Sequence, residues 1–197
     1  THHGVFDMAA FGAVPGLTIA APMNEPELRN MMYTALGSGH PFMIRYPRGH
    51  GEGLPWRGEK FETLPVGRGR RLREGADVAL LTVGTVGNAA ARAAGRAAAE
   101  GVSVAHYDLR FVKPLDEALL DEVGRKFRRV VTVEDGSLRG GVGEAVAAFF
   151  NGRGYDVRVQ RLGIGDEWVE HGTPGQLYAL CGYDEEGILR ALLDTRA

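Results

Sequence analysis

From residue 64 onwards short apolar runs alternate with helix-type segments, and this alternation limits the possible folds more than any other feature of the sequence. The clearest run is Asp77-Val78-Ala79-Leu80-Leu81-Thr82-Val83, continuous enough to predict a fully buried strand. An Ala-rich helix is expected over about 86–100, stopped by Gly101, followed by a strand over 102–109. Lys113-Pro114-Leu115-Asp116 opens a helix to about 127, and 130–134 reads as another strand. The turn Gly140-Gly141-Val142-Gly143 leads into a helix ending near Asn151, and 157–162 is the last strand. Thr173-Pro174-Gly175-Gln176 and Asp184-Glu185-Glu186 have the composition of two helix starts. Ahead of these, 67–73 reads as an edge strand, closed by a turn at Glu74-Gly75-Ala76. Such an order implies an α/β protein with a mostly parallel sheet wrapped by helices.

A smaller unit precedes it. Residues 17–21 form an apolar run after Pro15-Gly16, and 42–46 form another, bounded by Pro41 and Pro47. Between them Asn24 is a natural N-cap, Pro26 suits the first turn, and Glu27 completes an Asn-x-x-Glu capping box. Leu28, Met31, Met32, Ala35 and Leu36 share one helical face. Strand, helix and strand at this spacing make a βαβ unit, too small to stand alone. Its remaining strands are expected elsewhere. Residues 50–63 carry no period and many Gly and charged residues, which reads as a linker. The division expected is therefore 1–49, linker 50–63, and 64–197.

Composition removes several classes of function. The chain has 197 residues, a formal net charge of −2 and 44% hydrophobic residues, which is ordinary for a globular protein. That charge argues against a nucleic-acid binder working by phosphate neutralisation. A single cysteine, Cys181, leaves no internal disulfide and no Cys-based zinc site, and reads as a small buried hydrophobe. No apolar run approaches the roughly 20 residues of a membrane span. With no signal-peptide pattern, a cytoplasmic setting is expected. The opening, Thr1-His2-His3-Gly4, has no initiator Met, so the chain is expected to be part of something longer.

The most pointed candidate for chemistry is Arg48. Pro47 cannot donate to a ladder, so the strand stops there and Arg48 is delivered at its carboxyl end, where ligands bind in open α/β sheets. A guanidinium on a stiff Tyr-Pro-Arg-Gly corner suits capture of a phosphate or carboxylate. The competing reading is a solvated arginine in a surface ion pair. The other candidates have blander accounts. Adjacent His2 and His3 point different ways on most backbones, which disfavours a shared metal, and a lone histidine is more often packed or solvated than catalytic. The turn 140–143 could cradle a phosphate on free amides, yet lacks the P-loop lysine and the dinucleotide spacing, so close helix–strand packing is the better reason for it. Glu134-Asp135 could be a carboxylate pair, but a turn-forming Asp before Gly136 suffices. His171 precedes an N-cap, and loop geometry accounts for it. Arg68-Gly69-Arg70-Arg71 reads as a solvated edge strand whose charges deter pairing.

Taken together, several blocks resemble one family. Thr1-His2-His3-Gly4-Val5-Phe6-Asp7, Ala21-Pro22-Met23-Asn24-Glu25, Arg45-Tyr46-Pro47-Arg48-Gly49, Asp108-Leu109-Arg110-Phe111-Val112-Lys113-Pro114-Leu115-Asp116, Glu134-Asp135-Gly136 and Glu170-His171-Gly172-Thr173-Pro174 are similar to blocks of the 1-deoxy-D-xylulose-5-phosphate synthase family of transketolase-like thiamine diphosphate enzymes. The resemblance runs the whole chain, in order. It implies that 1–49 ends a pyrimidine-binding domain and that 64–197 is a transketolase C-terminal domain. It also implies condensation of pyruvate with D-glyceraldehyde 3-phosphate, with loss of carbon dioxide, toward isoprenoid and thiamine precursors. Thiamine diphosphate and magnesium would be bound by upstream sequence, with no metal ligand in this chain, and the enzyme would be a cytoplasmic (or plastid) homodimer.

Two site residues carry over from the resemblance. His2 matches the histidine of the Asp-Gly-x-Thr-His motif, which binds substrate or handles its proton. Arg48 matches the arginine that grips the aldehyde's phosphate. The motif's aspartate, the glutamate that activates the cofactor, the diphosphate–magnesium motif and the aromatic beside the pyrimidine are all expected upstream. Ala10-Phe11-Gly12 stands where relatives often carry Tyr-Leu-Arg. Two alternatives remain at this stage: the beta subunit of a 2-oxoacid dehydrogenase, which has no need of a phosphate-gripping Arg48, and a dimerisation module without chemistry.

Overall fold

The computed structural model describes residues 4–58 and 60–194. Its larger sheet has five strands, β3 (Arg70–Arg73), β4 (Val78–Val83), β5 (Val104–Asp108), β7 (Arg129–Ser137) and β8 (Arg158–Ile164), in the order β3-β5-β4-β7-β8. All its pairings are parallel except the antiparallel edge β3–β5. Every residue of β4 is buried, because the strand lies in the middle of the sheet with helices on both faces. Alternate side chains serve opposite layers. Val78 and Leu80 pack with α3 (Val86–Ala99) and α7 (Glu185–Leu193), whereas Ala79, Leu81 and Val83 pack with α4 (Glu117–Lys126) and α5 (Val142–Gly152). This is the α/β class expected from the alternation.

The helix starts follow local chemistry. Asp116 caps α4 through the Leu119 amide, and its carboxylate also accepts from Arg68 and from the Gly69 amide, tying β3 to that helix. Thr173 and Gln176 form a complete capping box on α6 (Pro174–Leu180), and Asp184 caps α7. Gly75 is needed for space: a Cβ there would stand 2.1 Å from the Val104 carbonyl carbon.

The second sheet has three strands in the order β2-β1-β6. β1 (Thr18–Ala20) and β2 (Phe42–Ile44) run parallel and are joined by α2 (Glu25–Leu36), the predicted βαβ unit. The third strand, β6 (Phe111–Lys113), comes from the far side of the linker and runs antiparallel to β1. The β2 ladder extends one residue further, through the Arg45 amide to the Ala20 carbonyl. β2 lies at the sheet edge and is only half-buried, where the apolar run 42–46 reads as a short buried strand. A small core of Ala20, Met31, Leu64 and Phe111 lies beneath.

α2 departs from its predicted face. Asn24 caps it by accepting from the Glu27 amide, but the Glu27 carboxylate does not return the bond. It turns inward, so the buried residues are Glu27, Met31 and Thr34, while Met32 and Leu36 are exposed. The cause is what lies beneath the helix, namely arginines for Glu27 and the Leu64 amide for the Thr34 hydroxyl. The stretch 50–63, although irregular, is fastened along α2. Gly53 donates to Glu25, Arg29 to the Lys60 carbonyl, and Glu62 to Asn30, while the Phe61 ring stacks on Tyr33.

Candidate functional site

Two charged seams join the sheets, and the first lies beside the predicted site. Arg45, at the end of β2, donates through Nη1 to the Asp135 carboxylate (2.9 Å), through Nη2 to the Asp135 carbonyl (2.7 Å), and through Nε to Asp7 (3.4 Å). Asp7 opens α1 (Asp7–Gly12), and Asp135 lies in the carboxyl-terminal part of β7. The Arg45 and Asp135 side chains are each only 9% exposed. Tyr183 donates to the other Asp135 oxygen at 2.9 Å, and Tyr178 approaches at 3.4 Å. Burial acts to lower the Arg45 pKa, but Asp135 and Asp7 outweigh it and hold the group above the usual arginine value. Burial, and then the Asp135 charge, push the Tyr178 hydroxyl up to about 12 and Tyr183 further in the same direction.

Arg48, three residues beyond Arg45, is exposed on the bend after β2. Among the described residues its guanidinium has no hydrogen-bond or ion-pair partner, so the surface ion pair offered as its competing reading finds no support there. His2 lies outside the described residues. The segment that follows it is placed: a 3-10 turn (Gly4–Phe6) and α1 rest on the carboxyl end of β7. A Cβ on Gly136 would stand 2.6 Å from the Met8 Cε, and one on Gly140 would stand 3.3 Å from the Ala9 Cβ. The ring of Phe6 meets Trp168 edge-on at 5.7 Å. The chain around Arg48 and the chain that follows His2 therefore meet at one guanidinium, that of Arg45. Within 10–12, the departure from the resembled pattern lies at the open end of α1, where Phe11 is exposed and no atom stands within 4 Å of a Cβ built on Gly12.

The second seam is formed by Glu27, Arg110, Arg70 and Asp108. Glu27 accepts two bonds from Arg110, both 2.8 Å, and one from Arg70 at 2.8 Å, while Arg70 also reaches Asp108 at 3.1 Å. Arg110 adopts φ +58, uncommon for a side-chain-bearing residue, and its amide is held by Asp108. The arginines of 68–71 lie on an exposed edge strand, as expected, with Arg68 paired to Asp116 and Arg71 to Glu74 and Glu122, but Arg70 turns inward to the buried carboxylates of Glu27 and Asp108.

The glycine-rich turn is closed to anions by the protein itself. Glu134 accepts from the Val142 and Gly143 amides, both at 2.8 Å, and Glu144 accepts from Gly140. Burial pushes the Glu134 carboxyl up, and those two amides work against it. A Cβ on Gly143 would stand 2.5 Å from the Thr132 hydroxyl, so close packing does explain the turn. Asp135 is not the turn residue expected, because β7 continues to Ser137 and the carboxylate points to Arg45. Cys181 is half-buried at the end of α6, with burial raising its thiol pKa, and His171 is exposed in the loop before Thr173. The sequence reading missed Arg45 and Asp135. The one available signal was a lone charge inside the apolar run 42–46.

The side chains that commonly ligate metals are scattered among the described residues. No group of three His, Cys, Asp or Glu converges there, and the amides best placed for phosphate are occupied. A groove of about 750 Å³ lies beyond β8, but its charges pair with each other, Arg139 with Asp166 and Arg161 with Glu144. No helix of the described residues is long and apolar enough to cross a membrane.

A helix-wrapped, mostly parallel sheet, tied by two charged seams to a βαβ unit whose sheet takes a third strand from beyond the linker, defines an α/β protein. Residues 67–188 match the transketolase C-terminal domain and residues 1–52 the transketolase pyrimidine binding domain. The first match spans more than half of the sequence, and the chain belongs to the transketolase family. It is similar to the 1-deoxy-D-xylulose-5-phosphate synthase of Bacteroides fragilis, 55% identical over all of this chain and 30% of that protein. The synthase of Bacteroides thetaiotaomicron is 53% identical over 98% of this chain and 30% of its own length, and that of Symbiobacterium thermophilum 44% identical over 95% and 29%. The chain therefore spans about 30% of the length of these relatives. A solved chain described as a split gene transketolase, inactive beta4 tetramer, superposes with a TM-score of 0.83 at 28% identity, over 95% of this chain and 60% of that one.

Proposed function

We propose that this chain is the C-terminal part of a thiamine diphosphate-dependent synthase that condenses pyruvate with D-glyceraldehyde 3-phosphate to 1-deoxy-D-xylulose 5-phosphate and carbon dioxide. In this reading 1–49 completes a pyrimidine-binding domain, 50–63 is the linker, and 64–197 is the transketolase C-terminal domain. The observation that carries it is Arg48, an exposed guanidinium on a proline-stiffened corner, free of protein partners among the described residues. Identity of 55% to a synthase of the same name supports the choice of substrates. The cofactor, when bound, supplies the carbanion chemistry. Thiamine diphosphate and magnesium are held by other segments of the enzyme, in keeping with the occupied amides of the turn at 140–143. This chain's own part is to bind the aldehyde's phosphate through Arg48 and to bind substrate or move its proton through His2. The exposed Met32 and Leu36 of α2 support a further protein surface covering that helix, consistent with a cytoplasmic homodimer.

Arg48→Ala in the enzyme that carries this chain tests the reading. A lost charge-assisted bond is worth about 1.5–3 kcal/mol, so the KM for D-glyceraldehyde 3-phosphate should rise roughly ten- to a hundred-fold, with pyruvate saturation little changed. Normal saturation by the aldehyde would remove the phosphate role.

A further inference from the structure

We propose that Arg45 and Asp135 are positioning residues for the aldehyde's phosphate site, acting through Arg48. The inference rests on the reading of Arg48 given above. Its basis is the way every nitrogen of Arg45 is used. Nε, Nη1 and Nη2 each donate to the protein, to Asp7, the Asp135 carboxylate and the Asp135 carbonyl, so each nitrogen is anchored by a protein acceptor and the buried guanidinium is held in one orientation. Arg48, three residues on, has the opposite character, exposed and free of protein partners among the described residues. Only Tyr46 and Pro47 separate the two, and the proline fixes its own φ and restricts the residue before it. An Arg45 side chain locked at one angle therefore fixes the backbone from which Arg48 projects.

Asp135 is locked in turn. Tyr183 holds one carboxylate oxygen at 2.9 Å, while Arg45 holds the other oxygen and the carbonyl. The adjacent Gly136 lies under Met8 of α1, so the segment following His2 rests on the same strand end. A phosphate-binding arginine is effective only if its fork is held near the productive geometry, and supporting hydrogen bonds of this kind supply that order. The larger sheet would in this way set the geometry of a group carried by the smaller one.

The test uses Asp135→Asn in the assembled enzyme, with D-glyceraldehyde 3-phosphate and unphosphorylated D-glyceraldehyde as alternative acceptors. The substitution keeps the shape and removes the charge that fixes Arg45. The expected result is a rise of about ten-fold in KM for the phosphorylated aldehyde, with kcat/KM for the plain aldehyde and KM for pyruvate changed by less than about two-fold. If Asp135 acts through Arg48, the double variant with Arg48→Ala should discriminate no worse than Arg48→Ala alone. Tyr183→Phe, which leaves the ion pair in place, should shift discrimination in the same direction by about two- to three-fold, and serves if Asp135→Asn does not fold. Equal losses with both aldehydes, or losses that add in the double variant, would overturn the positioning role. If Arg48→Ala itself leaves discrimination unchanged, the phosphate reading fails and this inference falls with it. A normal Asp135→Asn beside an impaired Arg48→Ala removes only the inference.

Discussion

The two sheets are stabilised in different ways. The five-stranded sheet is covered on both faces by helices of its own sequence, and its centre is apolar throughout β4. The three-stranded sheet takes β6 from across the linker, has a core of four buried side chains, and is fastened by Arg45–Asp135 and by the Glu27–Arg110–Arg70–Asp108 cluster. Apolar burial is non-directional, whereas a bidentate guanidinium fixes an angle. The contrast suggests a division of labour, in which the large sheet supplies stability and the seams supply placement.

Substitutions should separate these contributions. The largest effect is expected in the centre of the large sheet, where Leu80→Ala should cost about 4 kcal/mol in urea unfolding and expose the whole chain together. A smaller loss would mean that the sheet is not the stabilising unit. Glu27→Gln, which leaves two arginines short of a charge, should cost about 3 kcal/mol. Its mark should be local: amide exchange in β1 and β2 accelerates while β4 stays protected. Uniform acceleration would erase the distinction between seam and core.

The smaller effects concern pH, at two buried residues of β5. Burial, then Arg70 and Arg73, lower the His106 pKa to about 4, while Thr82 bonds its Nε2 at 2.9 Å. Its contribution is complete above about pH 6.5 and is lost as pH falls toward 4. Asp108 is raised by burial to about 6 despite Arg70, so its contribution is complete below about 3.8 and is lost as pH rises through 6. Between pH 7 and pH 5 the two oppose each other. Asp108→Asn should therefore lose about 2 kcal/mol over that interval, and His106→Gln should gain about 1 kcal/mol, as read by urea midpoints at the two pH values. Parallel slopes in the two variants would show that neither group titrates as described. Least of all, Thr173→Ala should cost about 1 kcal/mol of cap energy, confined to α6, which buries no side chain fully.

Local chemistry was legible in the sequence. The run 78–83 could only be a covered strand, Asn24, Thr173 and Asp184 cap the helices they were expected to cap, and the helix expected to open at 113–116 is capped by Asp116. What escaped was chemistry between distant residues. Arg45 and Asp135 are 90 positions apart, and Glu27 and Arg110 are 83 apart. Beyond the lone charge of Arg45 inside an apolar run, neither pairing leaves a local signal, so Glu27 read as half of a capping box and Asp135 as a turn residue. β6 escaped for another reason: three residues are too few to show a period. Arg48 was legible because a proline corner after an apolar run is a local pattern, although what holds that corner is not.

The loan of β6 has a consequence for the integrity of the chain. Covalent continuity between the sheets runs through an exposed stretch, 54–58, whereas their physical continuity runs through the β1–β6 ladder and the ion pairs. A single backbone cut within 54–58 should therefore yield two fragments that migrate as one species on a native gel and separate only in denaturant. Each fragment would act as the other's template, so the natural place to divide, circularly permute or label this chain is the strap, and the least suitable place is the short run 111–113.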